Sequence, residues 1–270
     1  MFKTTKALLL LSLSMLLMTA CEGVMGGIYD EPTTEVKVAE GQLYIDASSW
    51  TEWYYIDLKA LAQAAATGDS ATIDSLQTHF PHYTVPQTLT GEWDGESRYS
   101  LHWFDIWGAG VEVDTLVSTI PADRQPEPDS WTLAIHRDNV RTNGCAAFET
   151  SYTSIDNLPS TSTLLMEEEA QRLGVGTLVF TEDTLSTSQI WVNSQQMLNC
   201  LVGCQVIGYN AVLSNWLRLK IPPMPPAFTH NANVFLLRLP DGSYAALQLA
   251  NYKSPSGTNC CMTINYRYPY

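Results

Sequence analysis

The feature that most constrains this 270-residue chain is a pair of alternating apolar runs, Val234 to Leu239 and Tyr244 to Leu249, joined by Pro240, Asp241, Gly242 and Ser243. Alternation gives each run one face to bury, and the Asp-Gly pair supplies the unusual φ that a tight β-hairpin turn demands. Such a hairpin is a scaffold. Just upstream, residues 221–226 read IPPMPP. Four prolines exclude both helix and central strand there and hold the chain extended, so Met224 is carried on a stiff segment. A soft thioether in that position either packs or ligates.

At the other end of the chain, Lys3 and Lys6 precede an apolar run from Ala7 to Met18, followed by Thr19, Ala20 and Cys21. A basic start and an apolar run too short to span a bilayer make a secretory signal, excluded from the fold. Ending at a cysteine, it resembles a bacterial lipoprotein signal, with residues 1–20 removed and Cys21 lipidated, although Met18 stands where leucine is usual. An ordinary signal cut elsewhere is the alternative. Residues 21–41, rich in Gly, Glu, Thr and Val, read as a flexible tether. The folded domain is then expected over 42–270, long enough to bury a sizeable core, with an insertion at about 58–127. No second apolar run is long enough to cross a membrane, so the anchored chain is otherwise expected to be soluble.

The formal net charge is -14, and losing the two signal lysines makes the mature chain more acidic still. That excludes nucleic acid as a partner, since phosphates call for a basic surface, and disfavours electrostatic docking on anionic lipid.

From Leu43 the segment LYIDASSWTEWYYIDL alternates and is dense in aromatics, which predicts two strands around a polar turn at Ser48 and Ser49. Leu58 to Phe80 is the one strongly helical stretch, Ala-rich and interrupted near Gly68, where Asp69 or Ser70 is placed to cap a second short helix. Aromatics spaced by Gly, Asp and Ser from Thr84 to Gly110 predict short strands. Trp131 to Phe148 predicts a strand and a tight turn at Asn143 and Gly144, with Arg137 and Asp138 beside His136 read as a surface turn. Met166 to Leu173 is read as a single helical turn. Nothing repeats at a fixed period. The expected fold is mainly β, with antiparallel twisted sheets and a short helical insertion.

Six cysteines stand at 21, 145, 200, 204, 260 and 261. With Cys21 lipidated, five remain in an exported chain, so at least one stays unpaired. Cys200 and Cys204 are spaced to close a small loop, and Cys145 is one candidate partner for the adjacent Cys260 and Cys261. No two pairs sit at zinc spacing. No GxSxG, HExxH or phosphate-cradling glycine loop is present, and nothing selects a carboxylate pair for glycoside cleavage, so no enzyme is expected. Among the five histidines, His79 and His82 are separated by Pro81, which breaks the helix that would align them, and both read as satisfied or solvent-facing rather than as ligands.

Three stretches carry a family resemblance: IDASSWTEWYYIDL, WTLAIHRDNVRTNG (Trp131 to Gly144), and VFLLRLPDGSYAALQLANY followed by TINYRYPY. They resemble the framework of the HmuY family, haem-binding lipoproteins of Bacteroidetes that take haem from host haemoproteins. Between Lys59 and Glu127 the chain departs from that framework. The resemblance implies haem held by two loops, one just before the closing hairpin and one about thirty residues earlier, with two histidines in some members and two methionines in others. Ile221 stands where a ligand histidine would, which does not support a bis-histidine site. Met224 on the same segment and Met197 in the earlier one are the implied ligands of haem iron, a chemically coherent thioether pair that protonation cannot remove. Tyr209, Trp216 and Phe228 are candidates to line an apolar slot or to be core. The implied function is capture of haem by a protein lipid-anchored to the outer membrane at the cell surface, with an outer-membrane haem transporter as partner. The alternative is a surface module for glycan or protein that kept the fold without haem ligation.

Overall fold

A computed structural model describes residues 38–85, 98–105, 110–121, 124–186, 201–220 and 227–270. In chain order their elements are β1 (Gln42–Asp46), β2 (Glu52–Ile56), α1 (Leu58–Thr67), α2 (Ser70–Thr78), β3 (His82–Thr84), β4 (Arg98–Asp105), β5 (Gly110–Pro121), β6 (Leu133–His136), β7 (Asn139–Thr142), β8 (Ala146–Glu149), α3 (Ser162–Leu173), β9 (Thr181–Glu182), β10 (Thr184–Leu185), β11 (Leu201–Val206), β12 (Gly208–Tyr209), β13 (Leu217–Lys220), β14 (Ala227–His230), β15 (Phe235–Arg238), β16 (Tyr244–Lys253) and β17 (Asn259–Arg267). All described strand pairs are antiparallel.

The predicted hairpin is β15 and β16, paired from Phe235 with Leu247 to Arg238 with Tyr244. Gly242, at φ +84°, makes its turn, and the Asp241 carboxylate accepts from the backbone and hydroxyl of Ser243. The hairpin sits inside a six-stranded sheet ordered β1-β17-β16-β15-β8-β9. Alternation sends Phe235, Leu237, Leu247, Leu249, Met262, Ile264, Leu43 and Ile45 to one face, all fully buried or nearly so. A four-stranded sheet ordered β3-β2-β6-β7 covers that face with Ile56, Ile135 and Val140, and Trp216 and Leu213 fill the same core. Burial of each such side chain contributes roughly 1.5–3 kcal/mol. The opposite face of the six-stranded sheet presents Leu236 and Ala246 to Leu165 of α3 and to Ile155 and Leu158. Because both faces are covered, Ala245 to Leu249 are all buried, although Gln248 lies among them. Its amide is satisfied by the carbonyls of Thr153 and Ala232.

β1 and β2 form as expected around Ser48 and Ser49 but belong to different sheets, β1 pairing with β17 and β2 with β3 and β6. The predicted helical stretch is α1 and α2. Asp57 caps α1 by accepting from the backbones of Lys59 and Ala60, and Asp69 caps α2 by accepting from Thr72.

Two sequence-based expectations are corrected. First, α3 runs for twelve residues rather than one turn. Thr161 caps it, and Glu169, which looks like one of three surface acids, is buried and holds Ser151 and Arg172. Burial pushes its carboxyl up, but these donors prevail and hold it below its ordinary value. Second, the turn at Arg137 and Asp138 is interior. Arg137 adopts φ 55° beneath Trp50, with its guanidinium 3.8 Å from the ring centroid and donating to the Ser48 carbonyl. His136 is fully buried and its Nε2 bonds to the Trp50 carbonyl, so burial drives its pKa down to about 4.

The cysteine expectation also changes. Cys145, Cys260 and Cys261 are buried free thiols rather than bridged, and burial raises them to about 12, 12 and 11. Cys145 donates toward the carbonyls of Thr132 and Asn143, and Cys261 toward Asp46. Cys21 and Cys200 lie outside the described residues. No helix among the described residues is long and apolar enough to cross a membrane.

Candidate functional site

Met197 and Met224 both lie outside the described residues, so the site is built here from the elements that lead to them. Met224 falls between β13 and β14, whose pairing runs from Leu217 with His230 to Lys220 with Ala227. Both strands of this hairpin are tied to the core. The backbone N–H of Leu219 donates to the Asp138 carboxylate at 2.9 Å, which connects β13 to the buried turn after β6. On the β14 side, His230 Nε2 bonds to the Leu249 carbonyl at 2.7 Å, and Asn231 donates to the Trp216 carbonyl and to Glu149. Burial pushes the Asp138 carboxyl up, against the pull of its Leu219 bond and of Arg137.

Met197 falls between β10 and β11, and Ser186, which follows β10, is bonded to the far end of β11 and to the residue after it. Ser186 donates its N–H to the Ile207 carbonyl at 2.8 Å and its hydroxyl to the Gln205 carbonyl at 2.9 Å, and its Oγ accepts from Ile207 N–H at 3.2 Å. A single buried residue thus joins the end of β10 to the end of β11.

The aromatic candidates separate cleanly. Trp216 is fully buried core, edge-on to Phe235 at 6.5 Å, and its indole N–H has no partner among the described residues. Phe228 is half-buried against Tyr252 at 5.9 Å, and His230 stacks on the same Tyr252 at 5.6 Å. Tyr209 packs at the edge of a second cluster around Trp53 and Tyr55. His79 caps α2 and His82 lies in β3, both exposed, with His82 4.0 Å from Glu52. Among the described residues no three His, Cys, Asp or Glu side chains are grouped to hold a metal ion.

The outer face of the four-stranded sheet carries a polar arrangement that the sequence reading did not single out. Tyr55, Ala134 and Arg141 stand in one row across β2, β6 and β7. The small Ala134 leaves a slot into which the Arg141 guanidinium lies. It donates from Nη2 to Tyr55 Oη at 2.9 Å and to Glu127 Oε1 at 2.6 Å. The rings of Trp131, Trp53 and Tyr55 surround it at 4.9, 5.3 and 5.4 Å. Next to it, Trp53 Nε1 donates to Gln205, whose amide donates to Gln125. Arg141, Glu127, Arg124 and Gln125, with Leu185, Ile207 and Gly208, line an open cavity of about 140 Å³. In sequence Arg141 is a single basic residue inside the strand-and-turn stretch from Trp131 to Gly144, with nothing beside it to mark it. The signal that would have found it is the aromatic density of the neighbouring strand, WYY at Trp53 to Tyr55, opposite a single alanine.

Comparison with known proteins gives a consistent result. A family model described as HmuY protein matches residues 49–266. Among solved structures, a putative HmuY-like haem-binding protein from Bacteroides vulgatus superposes with a TM-score of 0.54 at 25% identity, over 85% of this chain and 91% of that one. A putative lipoprotein from Bacteroides fragilis superposes with a TM-score of 0.53 at 27% identity, over 85% and 89%. The apo HmuY analogue of Tannerella forsythia, at 19% identity and a TM-score of 0.54 over 85% and 95%, shares the fold. No curated protein matches the chain.

Proposed function

We propose, from the premise that the chain belongs to the HmuY family, that it is a haem-binding protein of the cell surface. It captures haem, including haem held by host haemoproteins, and passes it to an outer-membrane transporter. The observation that carries this reading is the family match over residues 49–266, joined to a relative at 25% identity described as haem-binding. The chemistry is binding rather than bond-making. Met197 and Met224 hold the iron through two thioether sulfurs, and burial of the ring face supplies the rest of the affinity. The described residues beside Met224 are anchored to the core, Leu219 of β13 by Asp138 and His230 of β14 by the Leu249 carbonyl, which favours this reading. Cys21 is the proposed site of lipidation, residues 21–41 the tether, and the outer membrane the location, in keeping with the lipoprotein description of the Bacteroides fragilis structure.

Haem titrated into the purified protein and followed by visible absorption tests the proposal. It predicts saturable binding with a low-spin spectrum that holds between about pH 5 and 8, the range in which a histidine ligand would titrate. An absence of saturable binding would leave the second reading, a glycan- or protein-binding surface.

A further inference from the structure

The chain is acidic, with a formal net charge of -14, yet its 28 Asp and Glu residues are unevenly placed. Only Asp241 stands after Asp183, and residues 184–240, which carry both Met197 and Met224, hold no carboxylate at all. Within that stretch Arg218 and Lys220 lie on β13, and the segment bearing Met224 begins directly after Lys220. Strand alternation turns Leu217 and Leu219 to the inner side of the β13–β14 hairpin and Arg218 and Lys220 to the outer, where both are exposed. Their partners across the hairpin, Thr229 and Ala227, are exposed too and are too short to cover them. Residues two apart in a strand are separated by roughly 7 Å, so the two cations form a pair on one face. Neither is neutralised. Arg218 donates from Nε, at 2.9 Å, and from Nη2 to the Asn215 amide oxygen, which orients the guanidinium without cancelling its charge. Among the described residues neither Arg218 nor Lys220 has a carboxylate at ion-pair distance, whereas Lys59, Arg141 and Arg172 each have one. Asp138, which accepts from Leu219 N–H, is faced by Arg137 instead. Two exposed, unpaired cations on an otherwise acidic chain make a local place for an anion.

We infer that Arg218 and Lys220 are positioning residues for the two propionate carboxylates of haem, an inference that rests on the haem reading above. Both carboxylates hang from one edge of the ring, which matches a pair of cations on one side of one strand. The iron is then the business of the thioethers and the acidic edge that of β13, so the ring has one preferred orientation, and tetrapyrroles with free acids are selected over their esters. Arg218 is already oriented by Asn215, which reduces the ordering that binding requires.

The test titrates haem and haem dimethyl ester, in the same dilute detergent, into the full chain and into Arg218→Gln, Lys220→Gln and the double variant, followed by visible absorption. Both side chains are exposed, so the substitutions spare the core, and melting curves check this. Each single variant is expected to weaken haem about threefold and the double variant about tenfold, with the ester unaffected. Raising salt from about 50 to about 500 mM is expected to weaken haem on wild type and to leave the ester unchanged. Equal haem affinity in wild type and double variant, or an equal loss for haem and ester, would overturn the inference and leave the haem reading standing. No saturable binding of either ligand by wild type would instead end the haem reading, and this inference with it.

Discussion

The two faces of the four-stranded sheet come from the same strands counted alternately, yet they are built to opposite ends. On the inner face Ile56, Ile135 and Val140 share one apolar core with Phe235, Leu237 and Leu247. On the outer face, one residue away, Tyr55, Ala134 and Arg141 make a row of hydroxyl, gap and guanidinium, with a cavity alongside. The inner face is largely apolar because a second sheet seals it. The outer face is covered by Trp131, Tyr83, Ile207 and the segment around Gln125 and Glu127, and its Trp53, Tyr55, Ala134 and Arg141 are buried as well. Its buried polar groups therefore depend on one another. Apolar packing is concentrated on one face and polar contacts on the other.

Substitutions can break or sharpen that contrast. The largest loss is expected from Phe235→Ala on the sealed face, about 4 kcal/mol by urea denaturation, from lost burial and the cavity left behind. The next concerns acid and the interior turn at His136. Its folded pKa of about 4 lies below the unfolded value near 6.5, so the unfolded chain binds more protons between those values. The full contribution of neutral His136 is present above about pH 6.5 and is lost as pH falls, by about 3 kcal/mol at pH 4. A His136→Gln variant should show a flatter stability profile between about pH 7 and 5. On the polar face, Arg141→Met should cost about 2 kcal/mol, less than breaking a fully buried pair because Glu127 is partly exposed. The smallest effect, about 1 kcal/mol, is expected for Asp57→Ala, which uncaps α1 and removes the acceptor of Ser130. If Arg141→Met proved as costly as Phe235→Ala in thermal melts, the division of labour between the faces would be wrong.

Local signals made the scaffold legible. The β15–β16 hairpin follows from alternation and an Asp-Gly turn, and α1 and α2 from alanine content, Gly68 and the capping aspartates. Long-range partners were not legible in the same way. Nothing in the sequence near Glu169 announces Ser151, eighteen residues away, which turns a surface-looking acid into a buried latch and lets α3 run its full length. The same holds for the Arg137 turn, interior only because Trp50 and Ser48 fold over it. Strand membership was equally hidden, since β1 and β2 are adjacent in sequence but join different sheets. For the site, family likeness and ligand softness pointed to Met197 and Met224, whereas Arg141 required knowing that Ala134 is its neighbour across the sheet. Spatial approach of that kind carries no periodicity to read.

The most direct measurement of the central claim is isothermal titration of haem into wild type, Met197→Ala and Met224→Ala, with melting curves confirming that all three fold. The account predicts one saturable site in wild type and loss of tight binding in each variant, with stability unchanged. Undiminished haem affinity in both variants would contradict it, showing that the iron is held by other residues.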